Sequence, residues 1–264
     1  AAWLRQMAAD LPRPKAIVVV SAHFEVSGGV VVSADPDPET IHDFGGFAPE
    51  LYRMVYPAPG EPKLAERVFS MLEEAGLAPS RCERRGYDHG TWTPLKLAFP
   101  EADIPVVQIS IDPDRDARWH YAVGRALAPL RKEGILLIGS GHITHNLRAV
   151  ITVMRTGRPI DPQIGERFNA FTDWFAEKFA EGDTEALFDW RRKAPFPTDN
   201  HPTDEHLMPI FFALFRLLDQ AAKNQTPHGF LTVDLATKFG EAEIGGVVPI
   251  YESFWGARTW GDTP

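Results

Sequence analysis

The sequence has almost no cysteine, no long apolar run and no excess of positive charge, and each absence excludes a class of protein. The single cysteine, Cys82, excludes an intrachain disulfide and a cysteine-rich zinc site. No stretch approaches the roughly 20 apolar residues that cross a bilayer. With 36 acidic and 27 basic residues, the net charge of −9 argues against a nucleic-acid partner, because phosphate binding needs a basic face. We therefore expect a cytoplasmic protein with no nucleic-acid or membrane partner.

Self-sufficient catalytic motifs are also missing. There is no His-Glu-x-x-His pair, no phosphate-binding P-loop and no Gly-x-Ser-x-Gly nucleophile elbow. Repeats, low-complexity segments and long linkers are absent as well. The 264 residues, of which 44% are hydrophobic, suffice for one large domain with a substantial core. We predict a single domain over residues 1–264.

Apolar, β-branched segments alternate with amphipathic ones along the chain, which is typical of an α/β protein. We predict a three-layer α/β/α domain around a central mixed, mostly parallel sheet. Strands are predicted at 15–22, 28–33, 104–111 and 134–139, with weaker candidates at 230–235 and 247–254. Helices are predicted before Pro12, at 49–55, at 64–72, from Thr91, and at 115–130, 161–181 and 203–222.

Histidines follow two of the predicted strands. His23 comes after the run 17–20, and His142 and His145 come after the run 135–138. Ligands of open α/β sheets bind at the carboxyl ends of the strands, so imidazoles there indicate a metal or acid–base site. A buried histidine bonded to a backbone carbonyl is an equally good interpretation of His23. Spacing of three predicts one face of a short helix for the other two, with helix capping and surface exposure as the alternative.

His206 lies where an apolar helical pattern begins. Thr203 is the predicted N-cap, and Pro209 either kinks this helix or marks its true start. Glu205, the neighbouring residue, is a rival ligand. His201 precedes a proline and is predicted to be extended, which suits the lining of a pocket better than metal binding.

Two further histidines lie in glycine-containing loops. His89 is flanked by Asp88 and Gly90, and His42 precedes Gly45. Glycine allows a ligand to approach the backbone closely. An ordinary loop histidine is the alternative for each. Residue by residue, the sequence predicts a metal- or histidine-dependent α/β enzyme and goes no further.

Six sequence blocks occur in a fixed order along the chain. They are Ile17-Val-Val-Val-Ser-Ala-His23, Ile41-His-Asp-Phe-Gly-Gly-Phe47, Tyr56-Pro-Ala-Pro-Gly60, Asp88-His-Gly-Thr-Trp92, Ser140-Gly-His142 with His145-Asn146, and Pro202-Thr-Asp-Glu-His206. Together they resemble the DOPA 4,5-dioxygenase-like family of class III extradiol ring-cleaving dioxygenases, in the superfamily of the protocatechuate 4,5-dioxygenase catalytic subunit. The resemblance extends from about residue 11 to about residue 215.

The resemblance implies a mononuclear metal site and the opening of a catechol ring with O2. His23 and His206 match the family's metal ligands, and His145 matches its general base, which can also lie within reach of the metal. His89 matches a catalytic-pocket histidine, and His42 is a weaker substrate-binding candidate. His201 is a second weak candidate for substrate binding. Fe(II) should support turnover, whereas Zn(II), which has no redox chemistry, should occupy the site in an inactive form.

One element of the family pattern is missing from the sequence. The family has another metal-binding histidine, in a Gly-His-Gly-Ser-Pro block before the first helix, whereas this chain starts at Ala1 without a methionine. We expect native residues, including that ligand, upstream of Ala1. Two other functions remain open: a zinc-dependent hydrolase of a small amide or ester, and a catalytically degenerate binding protein of the same fold. The protein could also form a homo-oligomer, and the sequence leaves its oligomeric state open.

Overall fold

The computed structural model describes residues 2–156, 161–221, 229–230 and 244–251. Its strands are β1 (Ala16–Glu25), β2 (Val31–Ser33), β3 (Ser80–Cys82), β4 (Val106–Ile111), β5 (Ile135–Gly141), β6 (Gly229–Phe230) and β7 (Ile244–Tyr251). They form one sheet in the order β3-β2-β4-β1-β5-β7-β6. Neighbouring strands are parallel except for β2 and β4, which are antiparallel. The predicted mixed, mostly parallel sheet is therefore confirmed.

Helices connect these strands. They are α1 (Ala2–Asp10), α2 (Pro62–Glu74), α3 (His89–Ala98), α4 (Ala117–Leu127), α5 (Leu147–Thr156), α6 (Pro162–Glu181), α7 (Thr184–Phe188), α8 (Trp190–Lys193), α9 (Pro197–Asn200) and α10 (Met208–Ala221), with 3-10 helices at Leu51–Arg53 and Ala128–Glu133. No helix in the described ranges is long and apolar enough to cross a membrane.

Side chains of β1 alternate between two hydrophobic cores, because successive residues of a strand point to opposite faces of the sheet. Val18 and Val20 belong to a core shared with helices α2, α4, α6 and α10. Ile17 and Val19 belong to a second core, shared with α1 and α3. All four side chains are at most 2% exposed. Burial on both faces explains the unbroken apolar run and confirms the predicted three layers.

The predicted helix that would carry both His142 and His145 is wrong. Pairing between β1 and β5 continues as far as Ser21 and Ser140, and residues 142–146 are irregular. The backbone N–H groups of the two histidines donate across the fold, to the carbonyls of His206 and Asn200, each over 2.8 Å. These long-range bonds replace the local bonds of a helix.

The predicted start of the last long helix is also wrong. Thr203 donates from Oγ1 to the Glu205 carboxylate (2.8 Å) and caps nothing, and α10 begins five residues later at Met208. Pro209 occupies the second helical position, where its missing N–H costs no hydrogen bond, in line with the second reading of that residue.

The remaining differences concern lengths and short elements. β1 extends to Glu25, so that His23 lies inside the strand instead of after it, and β2 starts at Val31. The predicted helix at 49–55 is reduced to the 3-10 helix. Strand β3, helix α5 and helices α7 to α9 were not predicted. Of the tail, β6 and β7 overlap the two weaker strand candidates, and residues 231–235 and 252–254 lie outside the described ranges.

Candidate metal centre

The histidines that the sequence predicted at strand ends lie at one edge of the sheet. β1 and β5 are parallel neighbours, so the chain leaves both at the same edge. His23 occupies the end of β1, and the loop that carries His142 and His145 leaves β5. β1 also separates β4 from β5, and the connections run in opposite directions from it. This is the crevice in which open α/β sheets bind ligands.

Glycines in β5 bring His206 to this edge. A Cβ atom on Gly141 would lie 2.3 Å from the carbonyl oxygen of His206, and one on Gly139 would lie 2.2 Å from that of Pro209. Real Cβ atoms do not approach so closely, so only glycine lets the chain before α10 lie against the strand. The amide of His142 completes the contact by donating to the same His206 carbonyl over 2.8 Å.

A third glycine brings His89 to the site. A Cβ atom on Gly90 would lie 2.6 Å from Oγ of Ser21 and 3.1 Å from Cδ2 of His23. The start of α3 therefore packs directly against the end of β1. Asp88 caps this helix by accepting from the amide of Thr91 (3.1 Å). The result is a distance of 3.9 Å between the ring centroids of His23 and His89.

The centre of the site is a pair of imidazoles whose Nε2 atoms face each other. Nε2 of His23 lies 3.3 Å from Nε2 of His206. The opposite nitrogen of each ring faces a carboxylate: Nδ1 of His206 lies 2.9 Å from Glu205, and Nδ1 of His23 lies 3.7 Å from Asp43. A carboxylate favours the proton on the nitrogen that it faces; with both protons on Nδ1, the two Nε2 atoms would direct lone pairs at each other.

Two lone pairs that face each other repel, unless a cation lies between them. In a tetrahedral site with metal–nitrogen distances of about 2.0–2.1 Å, two ligand nitrogens are about 3.3–3.4 Å apart. The observed separation of 3.3 Å matches this spacing. The pair therefore fits a divalent ion that prefers imidazole, and the carboxylates behind the two rings supply the charge that would balance it.

Electrostatics keep the His23 ring neutral and the Glu205 carboxylate charged in the metal-free protein. Burial, together with the neighbouring His89 and His206, lowers the pKa of His23 to about 3. Burial acts against ionisation of Glu205, but hydrogen bonds from His206 and Thr203 outweigh it and lower the pKa of Glu205 to about 2. Neutral imidazoles next to ionised carboxylates are the protonation states that metal binding requires.

The ring of His145 stacks on the face of the His206 ring. The two rings are stacked, with centroids 3.4 Å apart and an angle of 9° between their planes. Nitrogen lone pairs lie in the plane of the ring, so two parallel stacked imidazoles do not aim at a common point. Burial, followed by the neighbouring His206, lowers the pKa of His145 to about 4. His142 packs behind this stack, 5.7 Å from the His206 ring.

Asp43 was not among the residues singled out from the sequence, yet it contacts two of the histidines. Its Oδ1 lies 2.9 Å from both the backbone nitrogen and Nδ1 of His89. Burial opposes the charge, but the contacts with the backbone and the ring of His89 lower the pKa of Asp43 to about 2. The only sequence signal was its place beside His42 in a glycine-containing block. Glu205, considered above as a rival ligand, instead faces the Nδ1 side of His206.

The two weaker candidates, His42 and His201, have their ring nitrogens directed at backbone carbonyls. His42 approaches the carbonyl of Met54 with Nε2 (2.9 Å) and has its ring in edge contact with Phe44 and Trp92. His201 is fully buried, and its Nε2 lies 2.6 Å from the carbonyl of Ile143. The ring of His201 is thus enclosed in the core, and the substrate-binding role predicted for both residues stays a prediction.

A buried polar network centred on Asp88 holds the end of β1 in place. The Asp88 carboxylate, fully buried, accepts from Oγ of Ser21 (2.6 Å), from Arg85 (3.2 Å) and from the amide of Gln108. Burial raises the pKa of Asp88 despite the hydrogen bond from Ser21. Ser21 in turn accepts from the amide of His23 over 3.2 Å. The network therefore fixes the backbone that carries His23.

Comparison with known proteins identifies the family. Residues 1–238 match the family described as the catalytic LigB subunit of aromatic ring-opening dioxygenase. The chain belongs to this family. Its members are class III extradiol dioxygenases, as the six sequence blocks indicated.

Named relatives agree with this family. The chain is 39% identical over 203 residues to the 4,5-DOPA dioxygenase extradiol of Beta vulgaris, an alignment that covers 76% of this chain and 73% of that protein. It is 50% identical over 146 residues to the Escherichia coli K12 protein of the same name, covering 55% of this chain and 53% of that relative. The match thus spans about half the length of the bacterial relative.

A solved structure shares the fold of this dioxygenase family. The crystal structure of the uncharacterized protein JW3007 from Escherichia coli K12 superimposes with a TM-score of 0.61 at 33% sequence identity. The superposition covers 81% of this chain and 80% of the other.

Proposed function

We propose that this protein is an extradiol ring-cleaving dioxygenase that inserts both atoms of O2 into a catechol, such as DOPA or a related aromatic compound. The observation that carries this proposal is the facing pair of Nε2 atoms, 3.3 Å apart, in a protein of this family. The two relatives described above are named 4,5-DOPA dioxygenase extradiol, which favours that class of catechol.

His23 and His206 are the residues that would hold the ion. When bound, Fe(II) would supply the redox chemistry of the reaction and open coordination positions for its substrates, which Zn(II) cannot do because it is redox-inactive. Two neutral imidazoles leave such positions open. His145 is a weaker candidate ligand, since its ring is parallel to that of His206.

His145 and His89 are the proposed catalytic residues. His145 enters the reaction as a neutral imidazole, because burial and His206 depress its pKa to about 4. It can therefore accept a proton from a catechol hydroxyl and return it later. His89, on the other side of His23, has Nδ1 against Asp43. Its Nε2 remains available to contact the substrate.

Aromatic side chains next to His89 supply a wall for the organic part of the substrate. Phe44 contacts the His89 ring edge-on at 5.6 Å, and Tyr52 and Trp92 lie behind it. Aromatic rings pack favourably in such offset and edge-on geometries. His42 belongs to the same wall, which supports its weak assignment as a substrate-binding residue.

The test is O2 consumption by protein loaded with Fe(II) under anaerobic conditions, then mixed with L-DOPA and air. We expect O2 uptake together with a new visible absorbance from the ring-opened product, and neither signal with Zn(II). His145→Ala should reduce turnover by about 10²–10⁴-fold, the usual contribution of a general acid–base group, while metal content persists. Absence of O2 uptake with every member of a catechol panel would refute the dioxygenase proposal.

A further inference from the structure

We infer that Asp43 is a positioning residue that orients two histidines at once: the metal-binding His23 and the substrate-facing His89. The inference rests on the proposed function for the roles of these histidines. It extends that function by assigning to one carboxylate the coupling between the metal centre and the substrate pocket.

The two carboxylate oxygens of Asp43 face different histidines. Oδ1 accepts a hydrogen bond from the backbone N–H of His89 over 2.9 Å, which fixes the first residue of α3, and it lies 2.9 Å from Nδ1 of the same residue, a close electrostatic contact with the ring. Oδ2 lies 3.7 Å from Nδ1 of His23. That distance exceeds a hydrogen bond, so the contact with His23 is electrostatic. Both close contacts of the Asp43 carboxylate with basic side chains, among the described residues, are with histidines.

Asp43 faces the wrong side of His23 to share an ion with His206. The contact with His206 is made by Nε2 of His23, whereas Asp43 lies at Nδ1 of the same ring. The lone-pair directions of these two nitrogens diverge, so an ion held by Nε2 is out of reach of this carboxylate. His23, Asp43 and His89 do form a cluster of potential ligand atoms within 4.8 Å of one another, which makes a direct ligand role the rival interpretation.

The negative charge of Asp43 determines which nitrogen of His23 carries the proton. A carboxylate at Nδ1 keeps the proton there and leaves Nε2 free to bind. In Asp43→Asn, the side-chain oxygen can continue to accept from His89, and the amide NH2 then faces Nδ1 of His23. Two donors would oppose each other, so the proton of His23 moves to Nε2 and blocks the metal-binding nitrogen.

The experiment compares Asp43→Asn with Asp37→Asn, a matched control in the same loop whose side chain is exposed. Zn(II) and Co(II) affinities are measured by competition with a chelator, together with the visible spectrum of the Co(II) form. We expect Asp43→Asn to lose about 10- to 100-fold in affinity, the range for the loss of a carboxylate behind a ligand histidine. Asp37→Asn should bind like the unmodified protein. Asp43→Glu, which keeps the charge, should recover part of the affinity.

Two outcomes would overturn the inference. An affinity within about threefold of the control would show that the carboxylate does not orient His23. A loss as complete as that of His23→Ala, with a changed Co(II) spectrum at saturating metal, would make Asp43 a ligand. Because affinity is measured without O2 or catechol, this result is independent of the proposed reaction. In the active enzyme at saturating Fe(II), Asp43→Asn should still have a raised KM for the catechol, because His89 is no longer held in its orientation.

Discussion

Replacing Gly141 by alanine should damage both the fold and the metal centre, because the new Cβ has no room. It would lie 2.3 Å from the carbonyl oxygen of His206, and ordinary contact begins near 3.4 Å. The chain at His206 must therefore retreat by about 1 Å, and as backbone it has little freedom to do so. The hydrogen bond from the His142 amide, now 2.8 Å, would be stretched beyond its useful range.

The expected cost follows from these two effects. Overpacking a tight interior typically costs about 1–3 kcal/mol, and loss of one buried hydrogen bond adds about 0.5–1.5 kcal/mol. We therefore expect the free energy of unfolding of Gly141→Ala to fall by about 1.5–4.5 kcal/mol. The same movement displaces the imidazole of His206 and spoils its 3.3 Å approach to His23. Metal affinity should fall by at least about tenfold.

Urea denaturation of the metal-free protein and chelator competition for Zn(II) measure the two effects separately. Gly165→Ala is the matched control: this glycine lies in α6, and nothing lies within 4 Å of the added Cβ. That control should gain up to about 1 kcal/mol, because alanine favours a helix over glycine. If Gly141→Ala were as stable as the control and bound Zn(II) normally, the close approach of α10 to β5 could not be what positions His206.

Two further predictions concern single side chains. Glu205→Gln should lower Zn(II) affinity by about 10- to 100-fold in chelator competition, because an amide no longer holds the proton of His206 on Nδ1; unchanged affinity would contradict the tautomer assigned here. His120 is buried, and this burial lowers its pKa to about 4. As the pH falls, the histidine is therefore protonated in the unfolded chain before it is protonated in the folded protein. The free energy of unfolding should decrease between pH 6.5 and pH 4, by about 3 kcal/mol in total. His120→Gln should flatten that part of the stability–pH curve by about one proton in urea denaturation, and an unchanged slope would contradict a neutral buried ring.

The parts of the fold that the sequence predicted are those in which local pattern and tertiary environment agree. The run around Val18 and Val19 is buried on both faces, so its composition alone indicates a central strand. β3 has only three residues, none of them buried, and therefore no apolar pattern. The loop after β5 was wrongly predicted as a helix because its backbone bonds lead to residues that are distant in the sequence, such as Asn200.

For the candidate site, the sequence indicated the histidines but not the contacts of their carboxylate partners. Position next to a predicted strand or helix drew attention to His23 and His206, and their assignment as metal ligands, which stays a prediction, came from the family resemblance. The roles of the carboxylates could not, since Glu205 is as well placed in sequence to be a ligand as to be a partner. Only the ring orientation, with Nδ1 towards the carboxylate, separates these two roles. The contacts of Asp43 depend on the path of a loop that has no periodic pattern.

The centre brings together the side chains of His23 and His206, which are 183 positions apart in the sequence. Gly90 and Gly141 let α3 and the chain before α10 approach the ends of β1 and β5, so the separation of the histidines is set by how closely main chains pack. The carboxylates orient the imidazole rings but do not determine the distance between them. Distance and orientation are thus controlled by different residues. A substitution at Gly90 or Gly141 should disturb folding and metal binding together, whereas one at Asp43 or Glu205 should weaken metal binding with little effect on folding.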